Sequence, residues 1–207
     1  MRGWFLTASL TGLLALGCEE GQPKASRGNS KSLERNRDPH SGGYPVGPAE
    51  APPDETSGVV HFGSITLTAP EGWKRKPAQS EFVNAEFVLP RAPGDEADGR
   101  LTLSVAGGSI EANIERWKGQ FTALEASKQE QLDAAGVKVT LVDLSGEFND
   151  QRGPYAPATK RSGYRMITAI IPIDGRLHFV KGVGPKKTME AQAEKIKAFV
   201  RSLKQDM

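Results

Sequence analysis

Three histidines, one cysteine and a scatter of carboxylates are all that this 207-residue chain offers to reaction chemistry, and their spacing keeps them apart. His40, His61 and His178 stand far from one another. No His-Glu-x-x-His run, no pair of imidazoles at helical spacing and no cysteine cluster supplies the three or four ligands of a zinc site. Gly107-Gly108-Ser109 lacks the Gly-x-Ser-x-Gly frame that exposes a nucleophilic serine on a strained turn, and reads as a loop followed by a helix cap. Gly182-Val183-Gly184-Pro185-Lys186-Lys187 has the composition of a phosphate loop, but a proline interrupts it and the Ser or Thr is missing. No catalytic residue, metal or cofactor is therefore expected. Residues 149–163 are the exception in interest. They form a polar run between two strand patterns, and loops of this length in compact domains are usually functional or disordered. Asp150, Arg152 and Tyr155 supply an acid, a cation and an aromatic ring there, and are the candidate binding residues. The bland alternative is a proline-braced crossover in which Tyr155 plugs the edge of the core.

The charge balance says little for nucleic acid. Lys74-Arg75-Lys76 and Lys186-Lys187 are small basic clusters, the net charge is only +2, and Asp95, Glu96 and Asp98 form an acidic loop that offsets them. Solvated surface charge is the expected account.

The elements that must position these residues begin near Val59. Residues 64–68 alternate with the period of a half-buried strand, Ala69-Pro70-Glu71-Gly72-Trp73 ends it, residues 82–89 give a second strand and residues 101–105 a third. Ser109 sits where an N-cap belongs. The apolar stripe Ile110, Ile114, Trp117, Phe121 and Leu124 then predicts a helix covering a sheet, with Trp117 in the core. Residues 129–132 suggest a short strand and residues 137–148 a long one. Residues 164–173 and 176–183 flank Asp174-Gly175, the dipeptide of a tight type I′ hairpin, and Pro172 belongs at an edge or beside the turn. A last helix is expected over residues 188–203, with Met189, Ala193, Ile196, Val200 and Leu203 on one face, Glu190 in its first turn and Arg201 and Lys204 in its last. Hairpin-linked strands with two interposed helices indicate an α+β fold, an antiparallel sheet of about six or seven strands flanked by two main helices.

Upstream of the domain the composition changes. Residues 19–58 interleave Pro23, Pro39, Pro45, Pro48, Pro52 and Pro53 with glycine, serine and mixed charge, too poor in large apolar groups to offset the entropy of folding. They read as a disordered tether with a span on the order of 30 to 40 Å. Before it, Arg2 precedes an apolar run that ends at Gly17-Cys18. A short basic start, a brief apolar stretch and a small residue before the end describe a secretory signal peptide. Ending in a thiol, it resembles the bacterial lipoprotein signal. The resemblance implies acylation of Cys18, with diacylglycerol and an N-acyl chain such as palmitate meeting the two-chain requirement for stable anchoring. It also implies export to the cell envelope, and Glu19 in place of Asp points to the outer membrane. With Cys18 committed to lipid no disulfide remains, so the domain must stand on its core alone.

The domain itself resembles the Mog1/PsbP-like group, and within it a set of bacterial lipoproteins, through Ala69-Pro70-Glu71-Gly72-Trp73, Ala85-Glu86-Phe87-Val88-Leu89-Pro90, Glu111-Ala112-Asn113-Ile114-Glu115-Arg116-Trp117 and Gly153-Pro154-Tyr155-Ala156-Pro157. The resemblance implies an antiparallel sheet with flanking helices and an assembly or extrinsic-subunit role, and it assigns no functional residue. The expectation is a membrane-anchored, non-catalytic module that binds or helps assemble an envelope protein. A small-ligand carrier or enzyme with a site hidden from sequence, and a lipoprotein linking membrane to peptidoglycan, are the alternatives.

Overall fold

The computed structural model describes residues 58–151 and 157–205, all within the compact unit Glu50–Met207. Cys18, expected to carry the anchor, residues 19–57 of the expected tether, and Arg152 and Tyr155 of the candidate loop lie outside the described residues. The elements run β1 (Val59–Phe62), β2 (Ile65–Thr68), β3 (Lys74–Lys76), β4 (Ala85–Leu89), β5 (Gly99–Ala106), α1 (Ile110–Lys118), β6 (Phe121–Ala134), β7 (Val137–Asp150), β8 (Thr159–Ile173), β9 (Arg176–Pro185), α2 (Lys186–Arg201) and β10 (Lys204–Gln205). Seven strands form one sheet in the order β3-β4-β5-β9-β8-β7-β6, every neighbouring pair antiparallel. β1, β2 and β10 form a smaller sheet. This is the α+β architecture expected of the sequence, two helices and an antiparallel sheet of seven strands, with the three-stranded sheet added. No helix among the described residues is long and apolar enough to cross a membrane.

The large sheet has a core on each face. Along β8, Ile167, Ala169 and Ile171 join the core beneath α2, while Met166 and Ile170 join the core beneath α1. A central strand buried on both sides reads as a continuous apolar run, which is why this segment shows no clean alternation. α2 lays Met189, Ile196, Phe199 and Val200 on the sheet, and the small sheet adds Val60, Phe62, Ile65 and Leu67 to the same core. Gly182 makes that close seating feasible: a Cβ there would meet Met189 Cε at 2.9 Å and Ile196 Cδ1 at 3.1 Å.

The hairpin at Asp174-Gly175 forms as expected, Ile173 opposite Arg176 with φ of 52° and 69° at the two central residues. Pro172 lies opposite Leu177 beside that turn and beyond the last β7 pair at Ile170, so its missing N–H interrupts no ladder on that side. Ser109 caps α1, its Oγ accepting from Ala112 N at 3.1 Å.

Several boundaries differ from expectation, and four show the local reason most clearly. The α1 stripe does not continue to Leu124: the helix ends at Lys118, Gly119 follows with poor helix propensity, Phe121 stays buried from β6 against Phe148, and Leu124 is 41% exposed. The short strand at 129–132 is part of the 14-residue β6, whose turn to β7 is Ala135-Gly136 with φ of 48° and 78°. β4 starts at Ala85 rather than Phe82, because residues 80–83 form a turn in which Val83 N donates to Ser80 O and the Phe82 ring stays exposed. α2 starts at Lys186, which moves Glu190 out of the first turn, and Lys204 belongs to β10. The carboxylate that a helix N-terminus favours comes instead from the β4–β5 loop: Asp95 Oδ2 accepts from Thr188 N and Thr188 Oγ1, both at 2.7 Å.

Candidate functional site

β5 places Leu101 and Leu103 in the core beneath α2, so Arg100, Thr102 and Ser104 must stand on the opposite face, the α1 side. Register carries that face across the sheet. Lys76, Glu86, Thr102, Lys181 and Thr168 stand abreast on β3, β4, β5, β9 and β8, and Lys74, Val88, Arg100, Val183 and Met166 form the adjacent rung. α1 is only about 14 Å long. Its Ile114 and Trp117 cover Phe179, Met166, Leu144 and Val142, the apolar half of the face. The other half, on β3, β4, β5 and the middle of β9, is left open and bears the charge.

Where the two halves meet lies a cavity of about 240 Å³, lined by Arg100, Gln120, Phe148, Asp150, Lys181 and Val183 among others. Gln120 is held in place by its backbone: its N–H donates to Trp117 O at 3.0 Å and its carbonyl accepts from Asn149 N at 2.8 Å. That fixes its side chain over β9, where Oε1 accepts from Lys181 Nζ at 2.7 Å. The Lys181 ammonium is pushed down to about 7, first by burial and then by the guanidiniums of Arg116 and Arg100. Among the described residues it has no carboxylate in ion-pair contact. Arg100 Nη2 donates to Glu86 Oε2 at 2.7 Å, with Glu86 buried, while Arg100 Nε finds no partner among the described groups. Arg116 Nη2 donates to Asn113 Oδ1 at 2.7 Å. Asp150 at the rim lies 3.9 Å from Arg161 Nε. The acids at this site thus have basic neighbours already, while Lys181 is held by a neutral amide. Such an arrangement is suited to receiving an anion.

Of the three candidate loop residues, Asp150 reaches this cavity. The loop itself is shorter than expected. Phe148, Asn149 and Asp150 pair with Arg161, Lys160 and Thr159, so the hairpin of β7 and β8 absorbs both flanks and only residues 151–158 connect them. Polar strand ends that pair with each other carry no apolar alternation to reveal them. Lys181, Arg100 and Gln120 were missed. The available signal was Lys181 itself, a cation at an inward register position within Leu177-His178-Phe179-Val180-Lys181-Gly182-Val183, where charge is rarely buried without a partner.

Other sequence features fall into structural roles. Trp117 packs edge-on against Phe179 with ring centroids 5.1 Å apart, a core contact as expected. The glycines of residues 182–187 bring α2 and β5 close to β9, and Asp95 already occupies the helix N-terminus where a phosphate would bind. Of the Lys74-Arg75-Lys76 cluster, the two lysines stand on the open face and Arg75 on the other. His61 Nδ1 and Thr66 Oγ1 share a hydrogen bond of 2.6 Å. His178 is buried against Phe62, its imidazole held below the usual value chiefly by burial. Among the described residues no group of three His, Cys, Asp or Glu side chains converges as a metal site. Glu130 and Glu147 both shift down, toward the charged form: Glu130 chiefly through hydrogen bonding to Lys197, Glu147 chiefly through Thr122.

No protein-family model matches the chain, and no curated protein matches it. Among solved structures it is similar to cyanobacterial PsbP (CyanoP) from Synechocystis sp. PCC 6803, at 12% identity and a TM-score of 0.44, over 69% of this chain and 86% of that one. It is also similar to PA94, a protein of unknown function from Pseudomonas aeruginosa, at 13% identity and a TM-score of 0.47, over 72% of this chain and 96% of that one. A protein from Bacteroides thetaiotaomicron VPI-5482 matches at 10% identity and a TM-score of 0.40, over 70% of this chain and 46% of that one. At these identities and scores the likenesses bring no ligand, partner or activity to this chain.

Proposed function

We propose that the chain is a lipid-anchored lipoprotein of the bacterial cell envelope whose globular part is a non-catalytic module that binds or helps assemble another envelope protein. The observation that carries the binding role is the open half of the α1 face. Lys74, Lys76, Arg100 and Lys181 stand there on contiguous strands, with Glu86 as the buried carboxylate among them. A face of this composition favours a partner of opposite charge, through steering and orientation more than through bulk affinity. The anchor rests on Cys18 at the end of its apolar run, and the tether of residues 19–58 is long enough to hold the module clear of lipid head groups, with the outer membrane as the destination that Glu19 favours.

Two substitutions test the two halves of this reading. Cys18→Ala is expected to move the protein from the membrane fraction to the soluble one; retention after carbonate and salt washes counts against the anchor. The charge reversal Lys74→Glu with Lys76→Glu is expected to abolish crosslinking to the envelope partner in intact cells while membrane attachment persists, and undiminished crosslinking refutes the docking face. The cavity favours a second reading, carriage of a small ligand. The two separate cleanly, because a carrier needs Lys181 and is indifferent to Lys74 and Lys76.

A further inference from the structure

Resting on that docking role, the chemistry of the group the cavity receives can be read from its charges. Lys181 is approached from every side by named groups: Arg100 from β5, Glu86 behind it on β4, Arg116 and the Gln120 amide from α1 and its exit, Thr168 from β8, and Asp150 at the end of β7 with Arg161 beside it. Arg100 is matched by Glu86 at 2.7 Å and Asp150 has Arg161 near it at 3.9 Å. Among the described groups around Lys181, the cations left without a carboxylate are Lys181 itself, held by the Gln120 amide, and Arg116, held by the neutral Asn113. Arg100 Nε adds a buried N–H without a partner among the described residues.

We propose that this cavity is a carboxylate-binding site, in which Lys181 and Arg100 hold the ligand's carboxylate and Gln120 releases Lys181 to it. An anion supplies what the site lacks, and the two oxygens of a carboxylate match the two side chains offered to it, Lys181 and Arg100. A phosphate group carries three strong acceptor oxygens and asks for more donors than these two side chains supply. The volume of about 240 Å³, roughly eight waters at about 30 Å³ each, leaves room for a carboxylate on a short stem. The stem could belong to a free small acid or to an acidic side chain of the docked partner, and the chemistry at Lys181 is the same for both.

Occupation of the site also couples to protons. An anion beside Lys181 restores the ammonium that burial and the two guanidiniums disfavour, so binding above neutral pH takes up a proton and weakens as pH rises.

The test uses the full chain in detergent, titrated with succinate, with a short Asp- and Glu-containing peptide and with inorganic phosphate, at constant ionic strength. Saturable binding of at least one carboxylate probe at pH 6 is expected, weaker by on the order of tenfold at pH 8.5. Lys181→Met should abolish it, and Lys181→Arg should retain binding while removing the pH dependence. The tighter of succinate and peptide identifies the source, and either result supports the site. Binding by neither, equal binding in Lys181→Met, or phosphate binding more tightly than both overturns it. Should Lys181→Met fail to fold, the ε-carbon NMR titration of Lys181 in the unaltered chain decides: a midpoint that rises on adding the carboxylate supports the site, and one that does not move overturns it. Failure here with crosslinking still sensitive to Lys74 and Lys76 removes the carboxylate site and leaves the docking role standing.

Discussion

The two faces of the seven-stranded sheet are built to opposite rules. Beneath α2, a 16-residue helix and a second sheet close over Phe87, Leu89, Leu101, Leu103 and Val180, and Gly182 and Gly184 stand where a side chain would keep helix and strands apart. Beneath α1, a nine-residue helix covers only β7, β8 and part of β9, and the uncovered strands carry Lys76, Glu86, Thr102 and Lys181 in one row. The contrast follows from length. A helix too short to span a sheet leaves strands that cannot be apolar, and the residues that replace the apolar ones become a surface with a specific charge.

The comparison breaks first if the sealed face is less demanding than its packing indicates. Phe199→Ala, which removes a fully buried ring in contact with both Trp73 and Phe87, should cost about 4 kcal/mol in urea unfolding. Gly182→Val should cost about 3 kcal/mol, because Met189 and Ile196 already fill the space its side chain needs. On the other face Lys181→Met should stabilise by about 1 kcal/mol near neutral pH, since it removes a charge that burial penalises. The sign is open to a sharper test. Lys181 titrates near 7 folded and near its ordinary 10.5 unfolded, so between those values the unfolded chain holds the extra proton and stability rises with pH. Thermal midpoints from pH 7 to 10 should show that rise, and Lys181→Met should flatten it. Smallest of all, Thr102→Val should change stability by less than about 0.5 kcal/mol, as its Oγ1 makes only a 3.4 Å hydrogen bond to Lys181 O at a part-buried position.

Much of the fold was legible because particular residues obey local rules: Asp174-Gly175 with two positive φ values, Ser109 as a cap, and Leu101 and Leu103 alternating with polar neighbours. The helix stripe misled past Lys118 because Phe121 is buried from a strand as well as it would be from a helix, and apolar spacing alone does not distinguish the two. The site was legible only at its rim. Asp150 stood out for its polar surroundings, whereas Arg100, Gln120 and Lys181 are 61 residues apart at the Gln120–Lys181 contact and are joined by strand register, which no local pattern encodes.

The central claim, that the open half of the α1 face is where a partner sits, is tested most directly by placing one photoreactive residue at Ser104 and another at Ala198, exposed on α2, and crosslinking each variant in intact cells. Capture of a common envelope neighbour from Ser104, lost on reversing Lys74 and Lys76, and no capture from Ala198, is the predicted result. Capture from Ala198 with none from Ser104 would contradict the account.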